Sequence, residues 1–341
     1  MRTQICLVPE LTGLGGMVSF QARMIAGLQA HGIPHTFDLT SPKNTAILVI
    51  GGTRHLGKLW RAKRRGVRVV QRLNGMNWIH KLEKTAPRAY LRAEINNRIL
   101  ALIRRYMADH IVYQSNFSRD WWDRVFGPRP IPHQVTYNGV DLDHYTTYGP
   151  ETPPEGHYRL LLVEGHLAGA YARGLETAVR LADHVRVSCD RALELMVVGD
   201  VGEDLKAQSH ALAPELWITW RGVVPRTEIP AIDRAAHLLF SADLNAACPN
   251  SVIEALACGT PVLAYDTGAL AELVRDGAGE VVPYGADHWQ LEDPLIPPLA
   301  AACTRILQDN PAYRARARAR AEDAFSLETM VAGYLGALGV R

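Results

Sequence analysis

The sequence lacks paired cysteines and any long apolar run. Its five cysteines (Cys6, Cys189, Cys248, Cys258 and Cys303) are scattered, with no Cys-x-x-Cys pair and no histidine cluster nearby. Neither a disulfide framework nor a structural zinc site is therefore expected. No apolar run approaches the roughly 18–20 residues of a membrane span, and residues 1–8 are too short for the apolar core of a signal peptide. These absences predict a cytoplasmic protein with reduced, mostly buried thiols.

Charge is distributed unevenly between the two halves of the chain. At 341 residues the chain is long enough for two domains, and its net charge is +2. Residues 1–150 hold 21 Lys or Arg against 9 Asp or Glu, whereas residues 151–341 hold 16 against 26. The basic half, with cations around Trp60 from Lys58 to Arg68, could contact an anionic membrane or bind an anionic acceptor. A solvated helix face explains the same residues equally well.

Short apolar runs alternate with stretches of helical periodicity along the whole chain. Strands are predicted at residues 5–8, 46–50, 67–70, 110–113, 160–163, 195–198, 218–220, 237–240 and 262–264. Helices are predicted at residues 16–31, 56–65, 88–107, 118–125, 297–307, 311–323 and 326–338. The Gly- and Pro-rich segment 149–156 is the clearest linker. This alternation predicts an α/β protein with two parallel sheets and right-handed crossovers.

Four arginines at alternate positions near the C-terminus (Arg314, Arg316, Arg318 and Arg320) are most simply a solvated helical face. A nucleic-acid patch is a minor alternative, because aromatic residues and other basic segments do not accompany them. No nucleic-acid partner is expected.

Residues 250–264 carry the most informative pattern in the sequence. Asn250, Ser251 and Val252 open a short predicted helix that contains Glu254, and a Gly-Thr-Pro turn and a buried strand follow. That order places backbone amides and one carboxylate at the rim of a parallel sheet, where α/β proteins bind nucleotides. Alternatively, Ser251 and Glu254 form a capping box that only closes the start of the helix.

A glycine-rich turn follows the first strand. Gly13, Gly15 and Gly16 allow a close backbone approach to a ligand, although a plain tight turn is as compatible with the sequence. The spacing is not Gly-x-Gly-x-x-Gly, and no acidic residue closes a second strand, which disfavours NAD binding.

Several segments together resemble the retaining glycosyltransferases of family 4. They are Gln114–Ser118, Tyr137–Asp141, Val163–Glu176, Leu195–Asp200, Trp220–Val224 and Asn250–Ala264. The resemblance implies a GT-B architecture, in which two Rossmann-like parallel-sheet domains face a central cleft. It places an acceptor domain at 1–150, a nucleotide-sugar domain at 155–322, and a last helix at 323–341 that packs back on the first domain.

The resemblance also implies roles for individual residues. Arg173 stands where the family has a lysine and would stabilise the leaving diphosphate, with His166 in place of the usual arginine. Glu254 would hold the ribose hydroxyl groups. The remaining donor-binding positions are Gly15, Gly16, Gly165, Gly199, Gly222, Val223, Asn250, Ser251 and Val252. Arg173 could alternatively be an ordinary surface residue of its helix.

Two further positions bear on activity. The family carries a first glutamate eight residues before the one matched by Glu254, where this chain has Ala246, and Asp243 lies nearby but out of register. A histidine of the first domain often adjoins the reacting sugar in the family, and His80 is the candidate here, although a solvent-facing histidine is the alternative. His110 precedes a strand and is expected to be structural.

The resemblance therefore implies a metal-independent, hexosyltransferase-like enzyme of cell-envelope glycan synthesis that moves a sugar to a glycan, lipid or small-molecule acceptor. No cofactor is expected beyond the donor substrate, a UDP- or GDP-sugar. A nucleotide-sugar hydrolase or epimerase of the same fold remains open, as does a catalytically weak nucleotide-sugar-binding protein, the latter because of Ala246 and His166.

Overall fold

The computed structural model describes residues 4–13, 15–83, 85–167 and 172–340. The chain divides into two compact units, an N-terminal unit of Met1–Gly139 with Leu327–Arg341 and a C-terminal unit of Val140–Ser326. The first boundary between the two units lies after Gly139, whereas the sequence analysis placed it at residue 150. Val140 belongs to the C-terminal unit because it forms a β-bridge with Ser326 of that unit, and its amide donates to the carbonyl of Phe325 at 2.9 Å.

The N-terminal unit contains one six-stranded parallel sheet in the order β2-β1-β3-β4-β5-β6. Its strands are β1 (Gln4–Val8), β2 (His35–Thr36), β3 (Asn44–Ile50), β4 (Arg68–Leu73), β5 (His110–Tyr113) and β6 (His133–Val135). Its helices are α1 (Gly16–Ala30), α2 (Leu56–Arg64), α3 (Pro87–Tyr106) and α4 (Asn116–Phe126), with the C-terminal helix α12 (Leu327–Leu338) completing the unit.

Helix α12 is part of the core of the N-terminal unit. Met330, Val331 and Tyr334 are buried in the same cluster as Phe20 of α1, whose ring centroid lies 4.9 Å from that of Tyr334. A helix this apolar on one side needs a partner surface, and the first sheet with α1 supplies it.

The C-terminal unit contains the second six-stranded parallel sheet, in the order β12-β11-β10-β7-β8-β9. Its strands are β7 (His157–His166), β8 (Ala192–Asp200), β9 (Trp217–Gly222), β10 (Leu238–Ser241), β11 (Val262–Tyr265) and β12 (Gly279–Val282). Its helices are α5 (Ala172–Arg186), α6 (Glu203–Leu212), α7 (Ile229–Arg234), α8 (Asn250–Ala257), α9 (Leu270–Leu273), α10 (Ile296–Gln308) and α11 (Asn310–Ala324). Two parallel sheets covered by helices confirm the predicted α/β, GT-B-like fold class.

The prediction of a solvated arginine face on α11 is wrong for Arg314, Arg318 and Arg320, whereas Arg316 is exposed. Arg314 donates to the carbonyls of Ala236 and Arg234, and Arg320, only 3% exposed, donates to those of Leu273 and Glu272. Arg318 likewise binds the carbonyls of Tyr145 and Ala257, and Arg316 that of Gly277. The five N–H groups of a guanidinium suit it to unpaired carbonyls at loop and helix ends. The arginines of α11 therefore hold the surrounding loops and helix ends of the C-terminal unit.

Two further findings concern the whole described chain. All five cysteines are free, and four of them are buried. Among the helices of the described ranges, none combines the length and apolarity needed to cross a bilayer.

Candidate functional site

The predicted donor-binding residues of the C-terminal unit lie along one edge of its sheet. Because all six strands are parallel, their carboxyl ends share an edge. β7 ends at His166, next to Gly165, and β8 ends just after Gly199. β9 ends at Gly222, which precedes Val223, and α8 begins after the loop that follows β10. The fold thus brings together segments that are far apart in sequence.

Gly199 is required where it stands. Its backbone has φ 142°, and a Cβ at this position would lie 1.9 Å from the carbonyl oxygen of Glu164. β7 and β8 can therefore approach this closely only with glycine at 199. Gly165 is different, since a Cβ there would meet no atom within 4 Å.

His166 and Asp200 form an exposed pair at the ends of β7 and β8. The imidazole Nδ1 lies 2.9 Å from Asp200 Oδ2, and the two side chains are 66% and 63% exposed. The carboxylate of Asp200 would oppose a phosphate at the same place. The assignment of His166 to the diphosphate stays a prediction.

Arg173 lies in α5, and residues 168–171, which the sequence analysis included in the same motif, fall outside the described ranges. Arg173 Nη1 donates to the carbonyl of Leu291 at 3.0 Å and lies 3.7 Å from Asp293 Oδ1. The side chain is 50% exposed. Helix α5 lies close to the end of β10. A Cβ on Gly174 would lie 2.6 Å from the Cβ of Ala242, the residue after that strand.

The capping box proposed for α8 does not form. The N-cap residue is Pro249, no side chain caps the helix, and Ser251 is already its second residue. A serine inside the first turn cannot act as the N-cap, whose backbone must be non-helical. The simple structural explanation for the Ser-x-x-Glu pattern is therefore wrong. Val252 is fully buried, and its assignment to the donor site stays a prediction.

Glu254 is half-buried one turn into α8. Burial raises the pKa of Asp233 in α7 well above its ordinary value, and the charge of Glu254 raises it further. Glu254 therefore lies within electrostatic reach of a second carboxyl group, on the side of α8 that packs against α7.

A pair of carboxyl groups that the sequence did not single out stands at the same edge. Glu164 is in β7, and Asp243 follows β10. Burial, and then the charge of Asp243, raises the pKa of Glu164 well above its usual range, while burial raises the pKa of Asp243 to about 6. The sequence shows an acidic residue near the end of each of two buried strands. It does not show that these strands are neighbours, or which of their residues lie side by side.

The predicted N-terminal site residues lie in the other unit. Gly15, with φ 116°, is the N-cap of α1, and Gly16 is the first residue of that helix. Leu14, between the glycines of this turn, is outside the described residues. A positive φ at the N-cap explains glycine at position 15.

His80 is buried, so the prediction of a solvent-facing histidine is wrong. It is 8% exposed in a short 3₁₀ turn, its Nε2 lies 2.9 Å from Glu94 Oε1, and the Tyr90 ring stands edge-on at 4.9 Å. The hydrogen bond to His80 is the main reason that the pKa of Glu94 is lowered. Nδ1 is buried without a hydrogen-bond partner among the described residues. A catalytic role for His80 stays a prediction.

No group of three or more His, Cys, Asp or Glu side chains in the described ranges is arranged to hold a metal ion.

Comparison with known proteins places these observations in a class. Residues 159–309 match the family model described as "Glycosyl transferases group 1". Sucrose-phosphate synthase from Thermosynechococcus elongatus superposes with a TM-score of 0.71 at 14% identity, covering 98% of this chain and 97% of that chain. Alr3699/HepE of Anabaena, solved in complex with UDP and glucose, gives a TM-score of 0.68 at 17% identity, covering 99% and 100%. The fold is therefore GT-B-like, and the domain match supports a glycosyltransferase.

A curated relative is more similar in sequence but over a shorter range. The 2-deoxystreptamine glucosyltransferase of Streptomyces kanamyceticus is 30% identical over 158 residues, which is 45% of this chain and 38% of that protein. This chain spans only 34% to 63% of the length of the curated relatives that it matches.

Proposed function

We propose that the chain is a retaining glycosyltransferase of family 4, which moves a hexosyl group from a UDP- or GDP-sugar to a hydroxyl-bearing acceptor. The observation that carries the proposal is the shared carboxyl edge of the second sheet, along which Gly165, Gly199, Gly222 and the loop that leads from β10 to α8 lie. This edge lies inside the segment that matches the glycosyltransferase model. The printed names of one relative and one neighbour, a glucosyltransferase and a complex with UDP and glucose, support a nucleotide-linked hexose donor.

The reaction exchanges one bond to the anomeric carbon for another. The bond from the sugar C1 to the diphosphate oxygen breaks, and its electron pair stays with the nucleoside diphosphate. The acceptor oxygen forms the new bond to C1, and its proton passes to an oxygen of the departing diphosphate. In this proposal Arg173 stabilises the negative charge that develops on the leaving group, because a charged hydrogen bond is strongest where charge appears in the transition state.

α8 contributes in two ways to the proposed donor site. The first backbone amides of a helix have no partners within it and favour negative or hydroxyl groups. Glu254, one turn further, would accept hydrogen bonds from two ribose hydroxyls. Its half-buried position strengthens such bonds relative to water.

The test is product analysis by NMR. The full-length protein is incubated with a panel of nucleotide-sugars, with and without candidate acceptors and with and without EDTA. The proposal expects an acceptor-dependent glycoside with the donor's anomeric configuration, formed equally in EDTA. Free sugar or an epimerised donor in the absence of acceptor would establish the hydrolase or epimerase instead. Nucleotide-sugar binding without any turnover would establish a binding protein.

We also propose that the N-terminal unit contacts an anionic membrane through α2. This helix presents the exposed cations Lys58, Arg61 and Arg64 beside Trp60, which is 43% exposed, whereas Lys63 is paired with Asp109. Cations beside an exposed aromatic ring suit a lipid headgroup layer. The protein should sediment with phosphatidylglycerol-containing vesicles and not with pure phosphatidylcholine. Trp60→Ala should weaken sedimentation, whereas Trp217→Ala, an exposed tryptophan of the C-terminal unit, should not. Equal sedimentation with both vesicle types would remove this proposal.

A further inference from the structure

The winding of the second sheet reverses between β7 and β10. From β7 the chain adds β8 and β9 on one side and β10, β11 and β12 on the other. In an open parallel sheet, ligands bind outside the carboxyl ends of the strands at such a switch point. Glu164 in β7 and Asp243, two residues after the end of β10, flank it. Both residues are partly exposed.

The backbone around both carboxyl groups is held firmly. The close approach of Gly199 to the carbonyl of Glu164 fixes the end of β7. Thr267 Oγ1 donates to the carbonyl of Asp243 at 3.3 Å, and the amide of Ala269 donates to the carbonyl of Ala246 at 2.9 Å. The segment after β10 is thus fixed at this edge by the turn at 267–269. Little reorganisation would be needed to bind a ligand here.

Asn245 supplies an observation independent of the carboxyl groups. It lies two residues after Asp243, is only 3% exposed, and adopts φ 57°. Neither its Oδ1 nor its Nδ2 has a hydrogen-bond partner anywhere in the described ranges. A buried carboxamide with both functions unsatisfied costs free energy in the native state, so such groups normally have a partner. A ligand that offers both a donor and an acceptor would supply it.

The chemistry of the three side chains selects the kind of ligand. Two neighbouring carboxyl groups repel an anion such as phosphate. The carboxyl oxygens of Glu164 and Asp243 accept hydrogen bonds from hydroxyl groups, and the carboxamide of Asn245 both accepts and donates. Sugar hydroxyls are donors and acceptors at once, whereas ionised phosphate oxygens only accept.

We propose that Glu164, Asp243 and Asn245 form the subsite that binds the hydroxyl groups of the donor's sugar and so determine which sugar is accepted. This rests on the proposed function, because it concerns the same donor. This sugar subsite adjoins the cationic part of the proposed donor site. Gly174, the residue after Arg173, packs on Ala242, and Ala242 directly precedes Asp243. In this chain, which has alanine at 246, the hydrogen bonds to the sugar come from the residues around that position.

The test separates recognition of the sugar from recognition of the nucleotide. Calorimetric titrations at pH 7 compare UDP and GDP with their glucose, galactose, N-acetylglucosamine and mannose conjugates, for the wild type and three variants. The variants are Glu164→Gln, Asp243→Asn and Asn245→Gly, the last chosen because glycine adopts the backbone conformation of Asn245 without strain. Asp190→Asn is the matched control, since Asp190 is exposed just before the amino end of β8.

We expect Glu164→Gln, Asp243→Asn and Asn245→Gly each to change the ratio of the two dissociation constants, nucleotide-sugar over free nucleotide, by about tenfold or more, the effect of losing roughly one good hydrogen bond. Binding of the free nucleotide should change less than about threefold, which also shows that the variants are folded. Asp190→Asn should leave both constants unchanged. If the wild type binds nucleotide-sugars but the variants keep its ratio, the subsite is wrong and the proposed function survives. If the wild type binds none of these ligands, the proposed function falls, and the subsite with it.

Discussion

Gly174 of α5 packs directly against Ala242, the residue that follows β10: a Cβ on Gly174 would lie 2.6 Å from the Cβ of Ala242. This contact joins the helix that carries Arg173 to the segment that carries Asp243. The small size of both residues lets the helix and the strand end approach at the candidate donor site.

Gly174→Ala should therefore destabilise the C-terminal unit, by about 1–3 kcal/mol as is usual for overpacking, and weaken nucleotide-sugar binding. Gly57→Ala is the matched control, because Gly57 also lies early in a helix and a Cβ there would meet no atom within 4 Å. That control should be neutral or stabilising by up to about 1 kcal/mol. Thermal unfolding and calorimetry measure both effects. Similar stability changes in the two variants would contradict the packing argument.

Two glycines of α12 offer a second matched pair, in the N-terminal unit. A Cβ on Gly333 would lie 2.9 Å from Thr136 Cγ2, whereas a Cβ on Gly336 would meet nothing within 4 Å. Gly336→Ala should stabilise the protein by about 0.5–1 kcal/mol through helix propensity, and Gly333→Ala should destabilise it. Denaturant unfolding of both variants and the wild type measures these changes in the free energy of unfolding. Stabilisation by both substitutions would show that Gly333 of α12 is not packed against Thr136.

Arg173→Ala should reduce kcat/KM for glycosyl transfer about ten- to a hundredfold, the rate equivalent of one charged hydrogen bond of roughly 1.5–3 kcal/mol. Arg180→Ala, on the same helix, removes a cation that pairs with Glu176 at the surface, and should change kcat/KM little. Steady-state kinetics with a competent donor and acceptor makes the comparison. If both variants are equally active, Arg173 has no special part in catalysis.

Stability should depend on pH through Asp243. Burial raises its pKa from 3.8 to about 6, so the native state holds the proton more tightly than the unfolded chain. The free energy of unfolding then falls as pH rises from about 4 to above 6. Asp243→Asn removes this loss, so the variant should gain in Tm relative to wild type at pH 8 and much less at pH 4.5. A Tm difference that is the same at both pH values would refute the raised pKa.

The inner strands could be predicted from the sequence, whereas three of the four edge strands could not. Buried strands such as β3 and β5 are continuous apolar runs, and the structure confirms them within a few residues. β2, β6 and β12 were missed because they are edge strands of only two to four residues that are only partly buried, whereas β9, the fourth edge strand, is six residues long and was predicted. Their pairing depends on neighbours that are distant in sequence, so the local pattern is weak.

The candidate site shows the same limit. Glycine positions such as Gly199 were identifiable because a strand that ends in glycine is a local signal. The proximity of Glu164 to Asp243 was not, because it depends on strand order and register. Three of the four arginines of α11 were misassigned for a similar reason: their alternate spacing is visible in the sequence, but the carbonyls that they bind come from loops and helix ends throughout the C-terminal unit.

Hydrogen–deuterium exchange of the full-length protein, with and without a nucleotide-sugar identified by titration, tests the central claim most directly. If the carboxyl edge of the second sheet holds the donor, the ligand should slow exchange in peptides spanning residues 163–166, 198–200, 221–224 and 243–254. Peptides from the amino edge, such as residues 188–193, should be unchanged. Protection confined to other parts of the chain, or no protection with a ligand that demonstrably binds, would contradict the account.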